Sequence, residues 1–193
     1  IENETGRMLQ NYGHHPSFIM LAYGNEPAGP NHKPWLQQWV ARWKERDPQR
    51  LYTTGSGWPV TPGSDWHSSP DPRLQGWGEG LKSIINSQPP RSDFDWAGRI
   101  AKFPPGATIS HEIGQWCVYP DFGEIAKYTG YFKARNFELF RDLAERNGIL
   151  PQAADFLHAS GRLQVLAYKH DIEAALRTPG FGGFQLLDLH DFP

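Results

Sequence analysis

Apolar positions in this chain fall into short blocks whose period switches between that of a buried strand and that of a helix. Phe18-Ile-Met-Leu-Ala-Tyr23 is a continuous apolar run of strand length, as in a parallel sheet covered on both faces, and it ends in Gly24-Asn25-Glu26-Pro27. A Gly/Pro/Asn loop runs to Lys33. Pro34 then opens a helix, where its missing N–H is tolerated. Trp35, Leu36, Trp39, Val40 and Trp43 recur at helical spacing until Asp47-Pro48, which predicts a buried stripe. Leu51-Tyr-Thr-Thr54 reads as the next strand, ending in Gly55-Ser-Gly57. Between Trp58 and Pro105 prolines and glycines obscure the pattern, leaving a strand around Gly63–Ser68 and a helix around Phe94–Lys102. The pattern further predicts a strand at Thr108–Ser110, helices at Ala134–Asn147 and Gln164–Leu176, and a last strand over Gly183–His190. Gly148 is the expected stop of the first of these helices. At the amino end, Glu4–Leu9 reads as the close of a helix.

Strands alternating with helices indicate βα units and a parallel sheet. About five strands are expected, whereas a (β/α)8 TIM barrel has eight over about 250 residues. The expected fold is therefore a partial barrel, approximately strands four to eight, with residues 1–193 forming part of one domain. Ile1 is not an initiator Met, and no signal-peptide pattern follows it. The chain reads as a piece of a longer polypeptide, so the compartment is left open and the missing amino-terminal part is itself an expected partner. An incomplete barrel leaves sheet edges unpaired, which also predicts self-association.

Composition narrows the chemistry. A net charge of −2 without a basic stripe argues against nucleic acid. No apolar run approaches the ~20 residues of a membrane span. The single cysteine, Cys117, excludes an internal disulfide and a multi-cysteine zinc site, and is expected to be a small buried residue.

The chemically suggestive feature is a pair of glutamates, each at the carboxyl end of a short strand: Glu26, and Glu112 in Ala107-Thr-Ile-Ser-His-Glu112. One rim of a parallel barrel can bring such residues together from distant points of the chain. Two facing carboxyl groups suit glycoside hydrolysis, one as acid and base, the other as nucleophile. Asn25 beside Glu26 has the amide to bind a sugar 2-hydroxyl.

The run Asn11-Tyr-Gly-His-His-Pro-Ser-Phe-Ile-Met-Leu-Ala-Tyr-Gly-Asn-Glu26 resembles the fourth-strand signature of glycoside hydrolase family 2, the β-galactosidase, β-glucuronidase and β-mannosidase group. The resemblance implies Glu26 as acid/base and Glu112, in Ser110-His-Glu-Ile-Gly114, as nucleophile on the seventh strand. Strands five, six and eight would then close at Leu51–Gly55, Asp65–Ser68 and Phe184–His190. Only the fourth- and seventh-strand motifs are specific. Two departures concern the sugar pocket: the sixth-strand region, Ser64-Asp-Trp-His-Ser68, lacks a tyrosine, and Leu186-Leu-Asp-Leu-His190 lacks a terminal tryptophan.

Other candidates carry bland alternatives. His67, His111 and His190 lie at or beside strand ends and could bind sugar hydroxyls; His14 and His15, before the first strand, read as structural. No His-x-His or His-Glu-x-x-His spacing suggests a metal, and no cofactor is expected. Trp35, Trp39 and Trp43 read as helix core, while Trp58, Trp66, Trp77 and Trp116 include candidates for stacking on sugar rings. Glu79 and Glu124 compete with Glu112 but end no clear strand. The expected function is retaining β-glycoside hydrolysis of a carbohydrate substrate. The alternatives are an inert carbohydrate-binding or structural fragment, or a glycosidase of another family in the same barrel clan.

Overall fold

The computed structural model describes residues 1–187; His190, and with it the end of the last expected strand, lies outside them. The described chain is mixed α/β and divides into two compact units, Ile1–Ile113 with the chain from Asp171 onward, and Gly114–His170. Among the described residues no helix is long and apolar enough to cross a membrane.

The first unit opens with α1 (Glu2–Tyr12), followed by β1 (Met20–Ala22), α2 (His32–Arg46) and β2 (Leu51–Thr53). β1 and β2 pair in parallel, Met20 opposite Leu51. β3 (Trp66–Ser69), the short helices α3 (Ile84–Ser87) and α4 (Ala97–Ile100), and β4 (Ala107–Ile113) come next. The second unit holds α5 (Arg135–Arg146) and most of α6 (Ala153–Arg177), after which β5 (Phe181–Leu186) returns to the first. The second sheet is parallel in the order β3-β4-β5. α5 ends as expected before Gly148, which takes φ 70°.

Side chains carry the pairing across from β2 to β3. Asp65 N–H donates to the Tyr52 carbonyl at 2.9 Å, and Asp65 Oδ2 accepts Tyr52 N–H at 2.9 Å in place of a strand carbonyl. Thr53 Oγ1 donates to the Trp66 carbonyl at 2.7 Å, and Lys44 Nζ neutralises Asp65 at 2.6 Å. The backbone groups a ladder would pair are thereby satisfied although no regular strand pairing forms there.

α2 covers this seam through Leu36, Trp39, Val40 and Trp43, all buried at helical spacing. Trp39, Val40, Trp43 and Tyr52 form one core cluster, with Leu9, Leu21 and Tyr23 packed against it. Trp35 departs from the expected stripe: it is 38% exposed, its ring edge-on to Tyr23. β1, expected to be fully buried, is half-buried, because it pairs on one side only.

A polar cluster closes the base of α2. Asp47 Oδ2 accepts from Arg50 Nη1 at 2.6 Å and from the Tyr52 hydroxyl at 2.7 Å. Arg50 in turn donates to the carbonyls of Phe18, at 2.7 Å, and Gly13, tying the segment between α1 and β1 to β2. Burial alone would raise the Asp47 carboxyl, but the hydrogen bonds from Tyr52 and Arg50 outweigh it and hold the group below its ordinary value. The Tyr52 hydroxyl is pushed up, by burial first and then by the Asp47 charge.

Asp47→Ala leaves the Arg50 charge buried without its partner, so it is expected to destabilise the protein by about 3 kcal/mol. Because the folded-state value is depressed, the Asp47 contribution is present above the unfolded-state value and disappears as pH falls through the folded one. Urea unfolding of wild type should therefore weaken on acidification below about pH 4. The variant should lack that component, and equal acid sensitivity of the two proteins would contradict this account.

Candidate active site

Glu26 follows β1 on a strand end that keeps its parallel register beyond the regular strand. Tyr23 N–H donates to the Thr53 carbonyl at 3.2 Å, Ser56 N–H to Gly24 at 2.9 Å and Glu26 N–H to Ser56 at 2.8 Å, with Asn25 and Ser56 forming an isolated parallel bridge. Glu112 lies near the carboxyl end of β4. Its carbonyl and that of His111 both accept from Arg73 Nη2, the former at 3.1 Å. Leu187 N–H caps the next residue, donating to the Ile113 carbonyl at 2.9 Å.

Among the described residues, Glu26 and Glu112 are the only non-glycine residues at positive φ, 48° and 49°. The left-handed conformation costs an L-residue about 1–2 kcal/mol, and such strain concentrates where a side chain must be aimed. The consequence at Glu112 is direct. In a regular strand His111 and Glu112 would point to opposite faces. The left-handed turn brings both side chains to one place, and the same twist at Glu26 brings that carboxylate there from the neighbouring sheet.

They meet at His111. Its imidazole is 3% exposed, and Nε2 lies 3.3 Å from Glu26 Oε1 and 3.3 Å from Glu112 Oε1. Nδ1 faces Ser56 Oγ at 3.0 Å and Gln185 Oε1 at 3.1 Å. Ser68 Oγ completes the group, 3.1 Å from Ser56 Oγ and 3.2 Å from Gln185 Oε1, and accepts Gly57 N–H at 3.3 Å. Four chain segments thus fix one ring. Gly57, at φ 89°, leaves the room: a Cβ there would stand 2.9 Å from His111 Nε2 and 3.0 Å from Glu26 Cγ.

Arg73 supplies positive charge beneath the carboxylates. Burial pulls its guanidinium below the ordinary value, against the opposing fields of Asp171, Glu112 and Glu26. Asp171 is itself buried and accepts Leu74 N–H at 2.9 Å, which fixes the segment that carries Arg73.

The other residues singled out in the sequence take different places. Asn25 is exposed beside Glu26. His67 does not face an open rim: it is buried, its Nε2 donates to the carbonyls of Pro104 at 3.0 Å and Pro105 at 3.3 Å, and its ring meets Phe103 edge-on. Trp66 is likewise core, since every residue of β3 is buried. Trp116 belongs to the second unit, where its carbonyl accepts from Gln164. Cys117 is exposed rather than buried. Glu79 accepts Gly76 N–H at 2.8 Å and Glu124 pairs with Lys127 at 2.6 Å, so both rivals of Glu112 are engaged locally. His190 lies outside the described residues. Ser56, Gly57, Arg73 and Gln185 were not foreseen; the only hint was the Gly55-Ser-Gly57 punctuation after β2.

Chemically, the cluster joins two carboxylates, a fixed imidazole and a buried guanidinium. The carboxylate oxygens and the imidazole nitrogen lie within 4.8 Å of one another, close enough to share a reacting centre or a cation. No known protein-family model matches the chain, and no characterised protein matches it in sequence.

Gly57→Ala is expected to cost about 1–2 kcal/mol from backbone strain and to drive Glu26 away from His111. A crystal structure of the variant should show the Glu26–His111 separation lengthened; an unchanged 3.3 Å contact would refute the crowding argument.

Proposed function

We propose that this chain carries the two catalytic carboxylates of a retaining β-glycoside hydrolase, within part of a (β/α)8 barrel. The observation that carries the reading is the approach of Glu26 and Glu112, whose facing oxygens fall within 4.8 Å. Retaining enzymes hold their carboxyl groups about 5–5.5 Å apart, whereas inverting enzymes leave about 6.5–9.5 Å for a water. The parallel strands, each ending at the site, support the barrel reading, as does the likeness of the two strand-end motifs to glycoside hydrolase family 2.

In the first step Glu112 attacks the anomeric carbon as the bond to the leaving oxygen breaks, and Glu26 gives that oxygen its proton. In the second, water attacks the same carbon, Glu26 takes the water proton, and the bond to Glu112 breaks. Glu112 suits attack because Arg73 fixes its backbone from below. In this reading Asn25, exposed beside Glu26, binds the 2-hydroxyl. His67 and Trp66 have no part in this reading, being core residues. The proposed partner is a carbohydrate, with the remainder of the barrel supplied by the same polypeptide.

A second reading, metal-assisted hydrolysis, rests on the same three side chains, since two carboxylates and an imidazole are also metal ligands.

The two readings separate in the full-length protein. Glu26→Gln should lower kcat/KM for substrates with poor leaving groups by about 10²- to 10⁴-fold, and far less where the leaving group needs no proton. A 2-deoxy-2-fluoro glycoside of the right sugar should label Glu112 in peptide mass spectrometry, with activity indifferent to EDTA. Loss of activity in EDTA, restored by a divalent cation and unaccompanied by labelling, would favour the metal reading instead.

A further inference from the structure

A buried nitrogen lone pair aimed at two carboxylates is an arrangement that ligates cations. We infer that Glu26, His111 and Glu112 form a binding site for a divalent cation of the zinc type, and that this ion and a sugar exclude one another there. The site rests on the geometry of the three side chains; the exclusion rests on the retaining reading. It differs from metal-assisted hydrolysis in that the ion inhibits.

The tautomer of the ring follows from its far side. Nδ1 stands 3.1 Å from Gln185 Oε1, an amide oxygen that only accepts. The same oxygen accepts the hydroxyls of Ser56 at 3.1 Å and Ser68 at 3.2 Å. Nδ1 therefore carries the hydrogen, and the neutral ring presents its lone pair at Nε2. His111 is 3% exposed, and among the described residues its Nε2 has no hydrogen-bond partner. That nitrogen faces Glu26 Oε1 and Glu112 Oε1, each 3.3 Å away. Three lone-pair donors turned toward one another repel unless something positive stands between them. An imidazole whose other N–H is held by an acceptor oxygen is the usual form of a metal-ligating histidine.

The distances select the ion. Zinc binds nitrogen and oxygen at about 2.0–2.2 Å, so two ligands of a tetrahedral zinc stand about 3.3–3.5 Å apart. Octahedral magnesium, at about 2.0–2.1 Å, would set neighbouring ligands about 2.9 Å apart. Both separations from Nε2 are 3.3 Å, the length of a tetrahedral edge. A shared proton would instead draw one oxygen to about 2.7–2.9 Å. The third edge, between the carboxylates, lies within 4.8 Å, and a side-chain rotation at either glutamate closes it. Both glutamates are partly exposed, which gives the ion an entry and leaves its fourth position to water. An ion held there takes up the carboxylates that would attack the anomeric carbon and carry the acid proton. Metal and sugar therefore compete, and by linkage each weakens the other by the same factor.

The test uses the full-length protein, stripped of metal and dialysed against ZnCl2, with bound zinc measured by elemental mass spectrometry. One saturable zinc per chain is expected, and Co2+ in its place should show the strong visible absorption of a four-coordinate ion. Gln185→Leu, which leaves Nδ1 without its acceptor, should weaken zinc binding by about 10- to 100-fold, whereas Gln185→Glu, which keeps an acceptor oxygen, should retain it. His111→Ala and Glu112→Gln should weaken it further; if either does not fold, the two Gln185 variants carry the test. With any glycoside the protein cleaves, zinc should raise KM in step with its occupancy, leave kcat unchanged and be reversed by EDTA. No saturable zinc, equal loss in both Gln185 variants, binding undiminished by His111→Ala, or zinc that leaves KM alone would each overturn the inference while leaving the glycosidase reading intact. Zinc that hydrolysis requires would overturn the exclusion and the retaining reading together. Zinc bound to a protein that neither cleaves nor is labelled by any glycoside would overturn the retaining reading, and the exclusion with it, and uphold the metal site.

Discussion

Two carboxylates brought within 5 Å of one another repel, and the fold must supply something that makes the encounter stable. A buried imidazole stands between them, one nitrogen anchored in the protein and the other 3.3 Å from an oxygen of each acid. Much of the architecture around the site serves that contact. The β1–β2 register is prolonged to Glu26 so that the acid reaches the ring. β5 contributes Gln185 to grip the opposite nitrogen, and the end of β3 contributes Ser68, which braces Ser56 and Gln185. Arg73 holds the β4 carbonyls on either side of the turn that aims Glu112. Buried polar groups are tolerable only when their partners are present. A ring held from four segments also ties the two sheets together across the seam between β2 and β3.

The chain contains a second buried polar group of comparable density, and the contrast is instructive. Asp47, Arg50 and Tyr52 form a closed set: one acid, one base and a hydroxyl, with Arg50 Nε and Nη2 donating to backbone carbonyls. Its charges balance and no group is left facing outward, so it fixes the junction between α1, α2 and β2. At His111 the acids outnumber the base, and each glutamate remains about a third exposed. An excess of carboxyl groups over bases, partly solvated and pinned by the backbone, marks a candidate functional site rather than a closed structural set.

The sequence made some of this legible and hid the rest for identifiable reasons. The positions of β1, α2, β2 and β4 followed from strand-length runs and helical spacing. The acidic residues could be singled out because each follows such a run. What periodicity could not show is direction. Within β4, alternation assigns His111 and Glu112 to opposite faces, and nothing in Ser-His-Glu-Ile announces a left-handed residue that reverses the second of them. Likewise His67 lies in a strand, as His111 does, yet its ring ends on proline carbonyls contributed by a segment too rich in proline and glycine to be read locally. Ser56, Arg73 and Gln185 lie far apart in the chain, and only their convergence on one ring gives them meaning.

The strain at the glutamates also bears on why the site is built at strand ends. A left-handed residue interrupts the ladder bonds around it, as at Glu112, where the register of β4 with β5 shifts between Ser110 and Ile113. Those are recovered here in different ways: Glu26 by backbone pairing with the loop after β2, Glu112 by a guanidinium that replaces the missing strand donors. The second solution requires a buried cation, and burial itself weakens the hold of Arg73 on its proton. Asp171 offsets that cost by placing a compensating charge nearby, while its hydrogen bond to Leu74 N–H keeps the Arg73 segment in place. Aiming one carboxylate at the site therefore draws in a chain of dependent residues, Glu112 to Arg73 to Asp171, that ends in the last turns of a helix outside the strand that carries the acid.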